Sequence, residues 1–174
     1  CCIIDDVILL HITDLTMAFD LVFFGGTGDL TWRKLMPALF QAFRHGKLPE
    51  GGRILAVARD DRSDEDYRRF IRDRFVDVES SKRPSDEEFS QFAALLHYRR
   101  MDLSQPADYA GLKSWIDDRG AETVVMYLAT SPHLFPVICE QLGAAGLHGL
   151  QMRVVQEKPL GPDMASTQEI NRAL

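Results

Sequence analysis

The chain has 174 residues, 45 % of them apolar, and a formal charge of −6 at pH 7. That length can bury a sizeable core and most simply makes one domain. The acidic balance excludes a surface built to coat nucleic acid, because Arg68-Arg69 and Arg99-Arg100 are interrupted by acidic neighbours and read as solvated faces.

Residues 1–16 (CCIIDDVILLHITDLT) are apolar, but they lack a basic leading region and carry Asp5, Asp6 and Asp14. They make a poor signal peptide. Met17 stands just before the first core strand and suits a natural start. Residues 1–16 are therefore expected to be an upstream extension or an added segment outside the fold; the alternative is a short strand or helix docked on the domain. No apolar run approaches the ~20 residues that span a bilayer. Cys1, Cys2 and Cys139 give no disulfide framework, and an odd count suits a reducing compartment, so a cytoplasmic protein is expected. Cys139 lies in an apolar helical stretch and reads as a small buried hydrophobe. No Cys/His spacing resembles a zinc site, and no metal is expected.

Residues 20–34 read DLVFFGGTGDLTWRK: an apolar run, a glycine turn, then a helix-compatible segment. Leu21, Val22, Phe23 and Phe24 are consecutive and bulky, as in a strand buried on both faces. Gly25 and Gly28 allow a tight turn and a close approach of a pyrophosphate to the main chain. The helix that follows supplies free N–H groups and the positive end of its dipole. The spacing is Gly-x-x-Gly, short of the full Gly-x-Gly-x-x-Gly, and glycine turns of this kind also occur where no nucleotide binds.

The first helix is expected over residues 30–46, with Leu35, Leu39 and Phe43 at helical spacing and Pro37 bending it or marking an irregular first turn. Residues 53–58 (RILAVA) form the second strand. Ser63 caps a helix carrying Tyr67, Phe70, Ile71 and Phe75. Residues 79–84 (ESSKRP) form a flexible polar loop. Ser85-Asp86-Glu87-Glu88 is a capping box that opens a helix with Phe89, Phe92 and Leu96. The third strand spans 97–101, a helix carries Leu112, Trp115 and Ile116, and the fourth strand spans 123–129. A helix covers 134–142, the fifth strand starts at 153–156, and a last helix begins at Asp163. Strand and helix alternate throughout, which calls for an α/β fold: a Rossmann-like, doubly wound parallel sheet with helices on both faces.

Several residues carry chemistry in that frame. Asp29 opens the first helix, where it can cap the helix and shape a phosphate cradle together. Thr27 can offer its hydroxyl to a phosphate or simply fill a turn position. Arg59 sits at the end of the second strand, where an acidic residue accepts from ribose hydroxyls and an Arg offers a 2′-phosphate a charged fork. The plain alternative is a surface Arg at a strand end. Asp60 and Asp61 follow it, and their charge weakens the discrimination. Asp102, Leu103 and Ala129 follow strand ends on the crevice side, along the expected path of adenine and nicotinamide, although each could equally be core or loop. Lys158, in Glu157-Lys158-Pro159, stands at the mouth of the fifth strand; a lysine before a turn proline can also be merely exposed.

GGTGDLTWRK, the AVAR run ending at Arg59, YLATSP over 127–132 and EKPLG over 157–161 occur in that order. Together they closely resemble the coenzyme domain of glucose-6-phosphate dehydrogenase, from about Asp20 to Leu174. The resemblance implies that residues 17–174 form an NADP-binding domain, with some use of NAD left open by Asp60 and Asp61. It implies cofactor contacts from Gly25, Gly26, Thr27, Gly28, Asp29, Leu30, Lys34, Arg59, Asp102, Leu103, Ala129 and Lys158. Lys158 would also contact the substrate, glucose 6-phosphate, with Pro159 cis. Thr31 stands where the family commonly has Ala, and Ser131-Pro132 where it often has Pro-Pro. The family's catalytic His and its Asp partner come from an Asp-His-Tyr-Leu-Gly segment that is absent here, as is the substrate domain that follows it. None of His11, His45, His97, His133 and His148 reads as that base, so the chain alone is expected to be inactive. The whole enzyme would form homo-oligomers through that further domain, with no nucleic-acid or membrane partner. Two rivals are a stand-alone nucleotide-binding module and an oxidoreductase of another family that shares only this half-fold.

Overall fold

The computed structural model describes residues 18–121, 123–149 and 152–156. The expectations for residues 1–16, Met17, Glu157, Lys158, Pro159 and the helix from Asp163 lie outside them.

Five strands form one fully parallel sheet: β1 (Phe19–Phe24), β2 (Arg53–Ala58), β3 (Leu96–Arg100), β4 (Thr123–Leu128) and β5 (Met152–Gln156), in the order β3-β2-β1-β4-β5. β1 is central, with Val22 opposite Leu55 on one side and Met126 on the other. The chain leaves β1 toward β2 and β3, then returns to the opposite side of β1 for β4. That reversal opens a crevice at the carboxyl ends of β1 and β4.

The period-2 alternation of a strand divides the core. Phe19, Leu21 and Phe23 face one layer, built from helices α1 (Met36–Arg44), α2 (Asp64–Arg74) and α3 (Asp86–Ala93), where Phe40 packs edge-on against Phe75 and Phe92. Val22 and Phe24 face the other layer, against Tyr109, Leu112 and Ile116 of α4 (Pro106–Asp117) and Ile138 and Leu142 of α5 (Phe135–Ala144). Asp20, fully buried on β1, is held by a bidentate Arg53 at 2.6 and 2.8 Å, whose guanidinium lies 3.8 Å from the Trp115 ring centroid. Losing one partner of such a buried pair costs about 3–5 kcal/mol. No described helix is long and apolar enough to cross a membrane.

Where sequence and structure differ, local causes are visible. The first helix ends at Arg44, and it is entered through a π-helical turn, Thr31–Leu35, in which the Met36 N–H reaches back to the Thr31 carbonyl. Pro37 has no N–H to offer and its ring crowds the carbonyl four residues before it, so the wider turn absorbs the misfit. Leu96, expected in the α3 helix, instead opens β3: the Ile54 N–H takes the Leu95 carbonyl at 2.8 Å and draws the chain into the sheet. The 79–84 loop is not a loose polar segment. It contains a 3₁₀ turn, Ser80–Lys82, and Arg44 donates to the carbonyls of Ser81 and Arg83 while pairing with Glu88. Arg68 is likewise no solvated charge, since it donates twice to the Leu96 carbonyl.

Candidate functional site

The turn after β1 is shaped by close packing. Gly25 has φ +90°, and a Cβ there would stand 2.8 Å from the Ala129 carbonyl oxygen. A Cβ on Gly26 would stand 2.5 Å from the Ala56 Cβ of β2. These two glycines let the turn sit directly on its neighbouring strands, one for its left-handed backbone and the other for space.

The glycine N–H groups of the turn are used internally. Gly25 and Gly26 both donate to the Val57 carbonyl at 3.0 Å, and Gly28 donates to Gly25 at 2.9 Å. Among the described residues no acceptor takes the N–H groups of Thr27, Asp29 and Leu30. Those donors, at the start of a helix, are the ones left for an anion. The Asp29 carboxylate, expected as a cap, meets Arg33 at 3.1 Å on the exposed face instead.

Side chains then fix the turn from three directions. Thr31 Oγ1 donates to the Gly25 carbonyl at 2.9 Å, which gives the residue that departs from the family pattern a positioning role. Tyr67, fully buried on α2, donates its hydroxyl to the Gly26 carbonyl at 2.8 Å. Its ring stacks on Tyr98 of β3 at 5.0 Å, and the Tyr98 hydroxyl donates to the Asp60 carbonyl at 2.7 Å. Burial raises both phenols, Tyr67 far above its ordinary value and Tyr98 to about 12, with the Asp60 charge adding to the second. Both therefore stay neutral donors at physiological pH. Thr27 Oγ1 donates to the Asp60 carboxylate at 2.8 Å and closes the ring between the turn and the end of β2.

Around this turn the sheet gathers other expected residues. The Ala129 N–H donates to the Phe24 carbonyl, which puts the loop after β4 beside the loop after β1. Arg59 follows β2 with an exposed side chain, and its carbonyl accepts from Arg100. Asp102 follows β3 and accepts from the Ser104 N–H and hydroxyl. Those bonds, then the nearby Arg59 and Arg100, hold its carboxyl below the ordinary carboxylate range. Leu103 packs against the α4–α5 layer, and its carbonyl accepts from Tyr109. Lys34 lines a cleft of about 820 Å³ with Pro37, Ala38 and Gln41, which Val78 and Lys82 also border. In the loop after β4, Ser131 Oγ lies 2.8 Å from His133 Nε2.

Tyr67 and Tyr98 were missed as site residues: Tyr67 read only as part of a helix's apolar face, and Tyr98 fell unremarked within the expected third strand. Thr130 was missed as well: its Oγ1 is buried without a partner among the described residues, and its Cγ2 lies 3.1 Å from where a Gly25 Cβ would stand. A glycine cradle with no room for a Cβ, three free helix-start N–H groups and an orphaned hydroxyl at its rim fit a phosphate-bearing dinucleotide. No cluster of metal-ligating side chains occurs among the described residues.

Residues 22–174 match the family described as glucose-6-phosphate dehydrogenase, NAD binding domain. Among curated relatives, the glucose-6-phosphate 1-dehydrogenase of Mycolicibacterium smegmatis is 43 % identical over 160 residues, 89 % of this chain and 32 % of that protein. That of Rhizobium meliloti is 36 % identical, covering 88 % of this chain and 31 % of the relative. The crystal structure of glucose-6-phosphate 1-dehydrogenase from Mycobacterium avium superposes with a TM-score of 0.75 at 29 % identity, over 90 % of this chain and 33 % of that one. A glucose-6-phosphate dehydrogenase in complex with its substrate glucose-6-phosphate gives 0.72 at 26 % identity, with the same coverage of 90 % and 33 %. The chain spans about a third of the length of the curated relatives it matches.

Proposed function

The chain belongs to the glucose-6-phosphate dehydrogenase family, and from that premise we propose that it is the coenzyme domain of an oxidoreductase acting on glucose 6-phosphate with NADP. The reaction would move hydride from sugar C1 to the nicotinamide ring and give 6-phosphogluconolactone, the first step of the pentose phosphate pathway. The bound dinucleotide supplies the hydride acceptor. This chain's residues bind and orient it. The N–H groups of Thr27, Asp29 and Leu30 face the pyrophosphate, Thr130 Oγ1 offers a further donor, and Arg59 takes the adenosine 2′-phosphate. Asp102, Leu103 and Ala129 border the crevice at the strand ends. Lys158, outside the described residues, contacts the sugar phosphate or hydroxyl beside the coenzyme.

The observation that carries the reading is the glycine turn at the point where the strand order reverses, tied to β2 and β4 and left with three free N–H donors. The matched domain indicates a nicotinamide coenzyme, and the choice of NADP rests on Arg59. We place the protein in the cytoplasm on its cysteine usage, with homo-oligomers of the whole enzyme forming outside this domain. The test is Arg59→Ala. Losing a charge-assisted bond of ~1.5–3 kcal/mol should weaken NADP roughly tenfold or more while NAD binding holds. Equal losses for both coenzymes would remove Arg59 from the 2′-phosphate.

A further inference from the structure

We propose that Arg74 is a positioning residue for the dinucleotide: stacked on Trp32 and Phe70, it clamps the helix start that follows the glycine turn against α2 and keeps the Asp29 and Leu30 N–H groups set for the pyrophosphate. The inference rests on the coenzyme reading above. Arg74 is the last residue of α2, and its guanidinium carbon lies 3.9 Å from the Phe70 ring centroid and 5.1 Å from that of Trp32. The residue is half-buried, its Nε is buried without a partner, and it makes no ion pair or hydrogen bond among the described residues. A cation with no carboxylate to answer it is held by the rings it touches. A guanidinium is planar and weakly hydrated, so it stacks on them where an ammonium would stay in water.

Trp32 stands where such a clamp acts on the coenzyme donors. Its N–H donates to the Gly28 carbonyl at 3.4 Å and closes the turn of chain that carries Asp29 and Leu30. Thr31, one residue before it, holds the Gly25 carbonyl at 2.9 Å. From the other side, α2 already reaches the glycine turn through Tyr67, whose hydroxyl donates to the Gly26 carbonyl at 2.8 Å. The Tyr67 and Phe70 rings stack at 6.0 Å, so Tyr67, Phe70 and Arg74 form one row along α2 at helical spacing. That row meets the coenzyme turn at both ends: Tyr67 ahead of the free Asp29 and Leu30 donors, and Arg74, through Trp32, just after them. Support at both ends leaves less freedom to lose when an anion binds. The pyrophosphate is common to NAD and NADP, so the clamp serves both alike.

The test is calorimetric titration, with NADP and with NAD, of the chain and of Arg74→Met, Arg74→Lys and Arg69→Met, each checked for folding by circular dichroism. Arg69→Met takes the same charge from the same helix, at a residue that pairs with Asp66 on the exposed face. Arg74→Met should weaken both coenzymes by one common factor, about three- to tenfold, at low and high salt alike. Arg74→Lys restores the charge without the planar stack and should stay at least about twofold weaker than the chain. Arg69→Met should change either constant by less than about twofold. In ¹⁵N spectra without coenzyme, the Trp32 indole N–H and the Asp29 and Leu30 amides should move in Arg74→Met and hold still in Arg69→Met. Unmoved Asp29 and Leu30 amides, a loss in Arg74→Met below about twofold or confined to NADP, full recovery in Arg74→Lys, or an equal loss in Arg69→Met would each overturn the role of Arg74 and leave the coenzyme reading standing. If Arg74→Met does not fold, Arg74→Lys decides by the same two readouts. If the unaltered chain, folded, binds neither dinucleotide, the coenzyme reading fails and this inference fails with it.

Discussion

Tyr67→Phe isolates the contact that holds the glycine turn. The substitution keeps the ring, its stacking on Tyr98 and its buried volume, and deletes only the hydroxyl that reaches the Gly26 carbonyl at 2.8 Å. Gly26 and Tyr67 are both buried, so water does not replace the lost donor, and no other donor reaches that carbonyl among the described residues. An unsatisfied buried carbonyl costs about 1–3 kcal/mol. At about 2–4 °C per kcal/mol for a domain of this size, the melting temperature should fall by roughly 2–12 °C. Burial keeps the Tyr67 phenol un-ionised far above neutral pH, so the loss should be the same across the neutral range. Urea unfolding followed by tryptophan fluorescence measures it, and a coenzyme titration of the same protein should show weaker binding. A loss below about 0.5 kcal/mol, less than a net hydrogen bond is worth, would refute the idea that Tyr67 fixes the turn.

Two further outcomes are expected. Bonds from Arg44 and then from Ser85 hold the Glu88 carboxyl at about 2 against an ordinary 4.5, so its stabilisation is fully present above pH 4.5 and disappears as pH falls from 4.5 toward 2. Glu88→Gln should flatten the stability profile in that window; an unchanged acid limb would place the sensitivity elsewhere. The 174-residue chain should bind dinucleotide without oxidising glucose 6-phosphate at an enzymatic rate, because the resemblance places the catalytic base outside it and a base contributes ~10²–10⁴-fold. Turnover by the purified chain would overturn this, with His133, held beside Ser131, the first base to replace.

Local signals were the legible ones. The RILAVA run coincides with β2, and Ser63 and Ser85 cap their helices through the Asp66 and Glu88 N–H groups. In each case the determining chemistry lies within a few residues. The apolar run at Phe23-Phe24 likewise leads straight into the turn at Gly25. What stayed hidden was pairing across distance. Thr27 meets Asp60 across 33 residues and Tyr67 meets Gly26 across 41, and no periodicity encodes a hydroxyl's partner in another element. Leu96 continued the helical spacing of Phe89 and Phe92, yet pairing with β2 outweighed that local pattern. Lys34 belonged to the motif by order; the structure puts it in the π-helical turn between the glycine turn and α1, on a cleft shared with Val78 and Lys82 that no local pattern announces.

The central claim is that a nicotinamide dinucleotide binds at the turn between β1 and α1. Backbone amide NMR of the ¹⁵N-labelled chain during NADP titration tests it most directly. The account predicts saturable shifts largest at Thr27, Asp29 and Leu30, with Ala129 and Thr130 following, and their loss in Gly25→Ala, whose Cβ would stand 2.8 Å from the Ala129 oxygen. Shifts centred instead on Pro37, Ala38 and Gln41 in the cleft beside Val78 and Lys82, or none at saturating NADP in a folded chain, would contradict it.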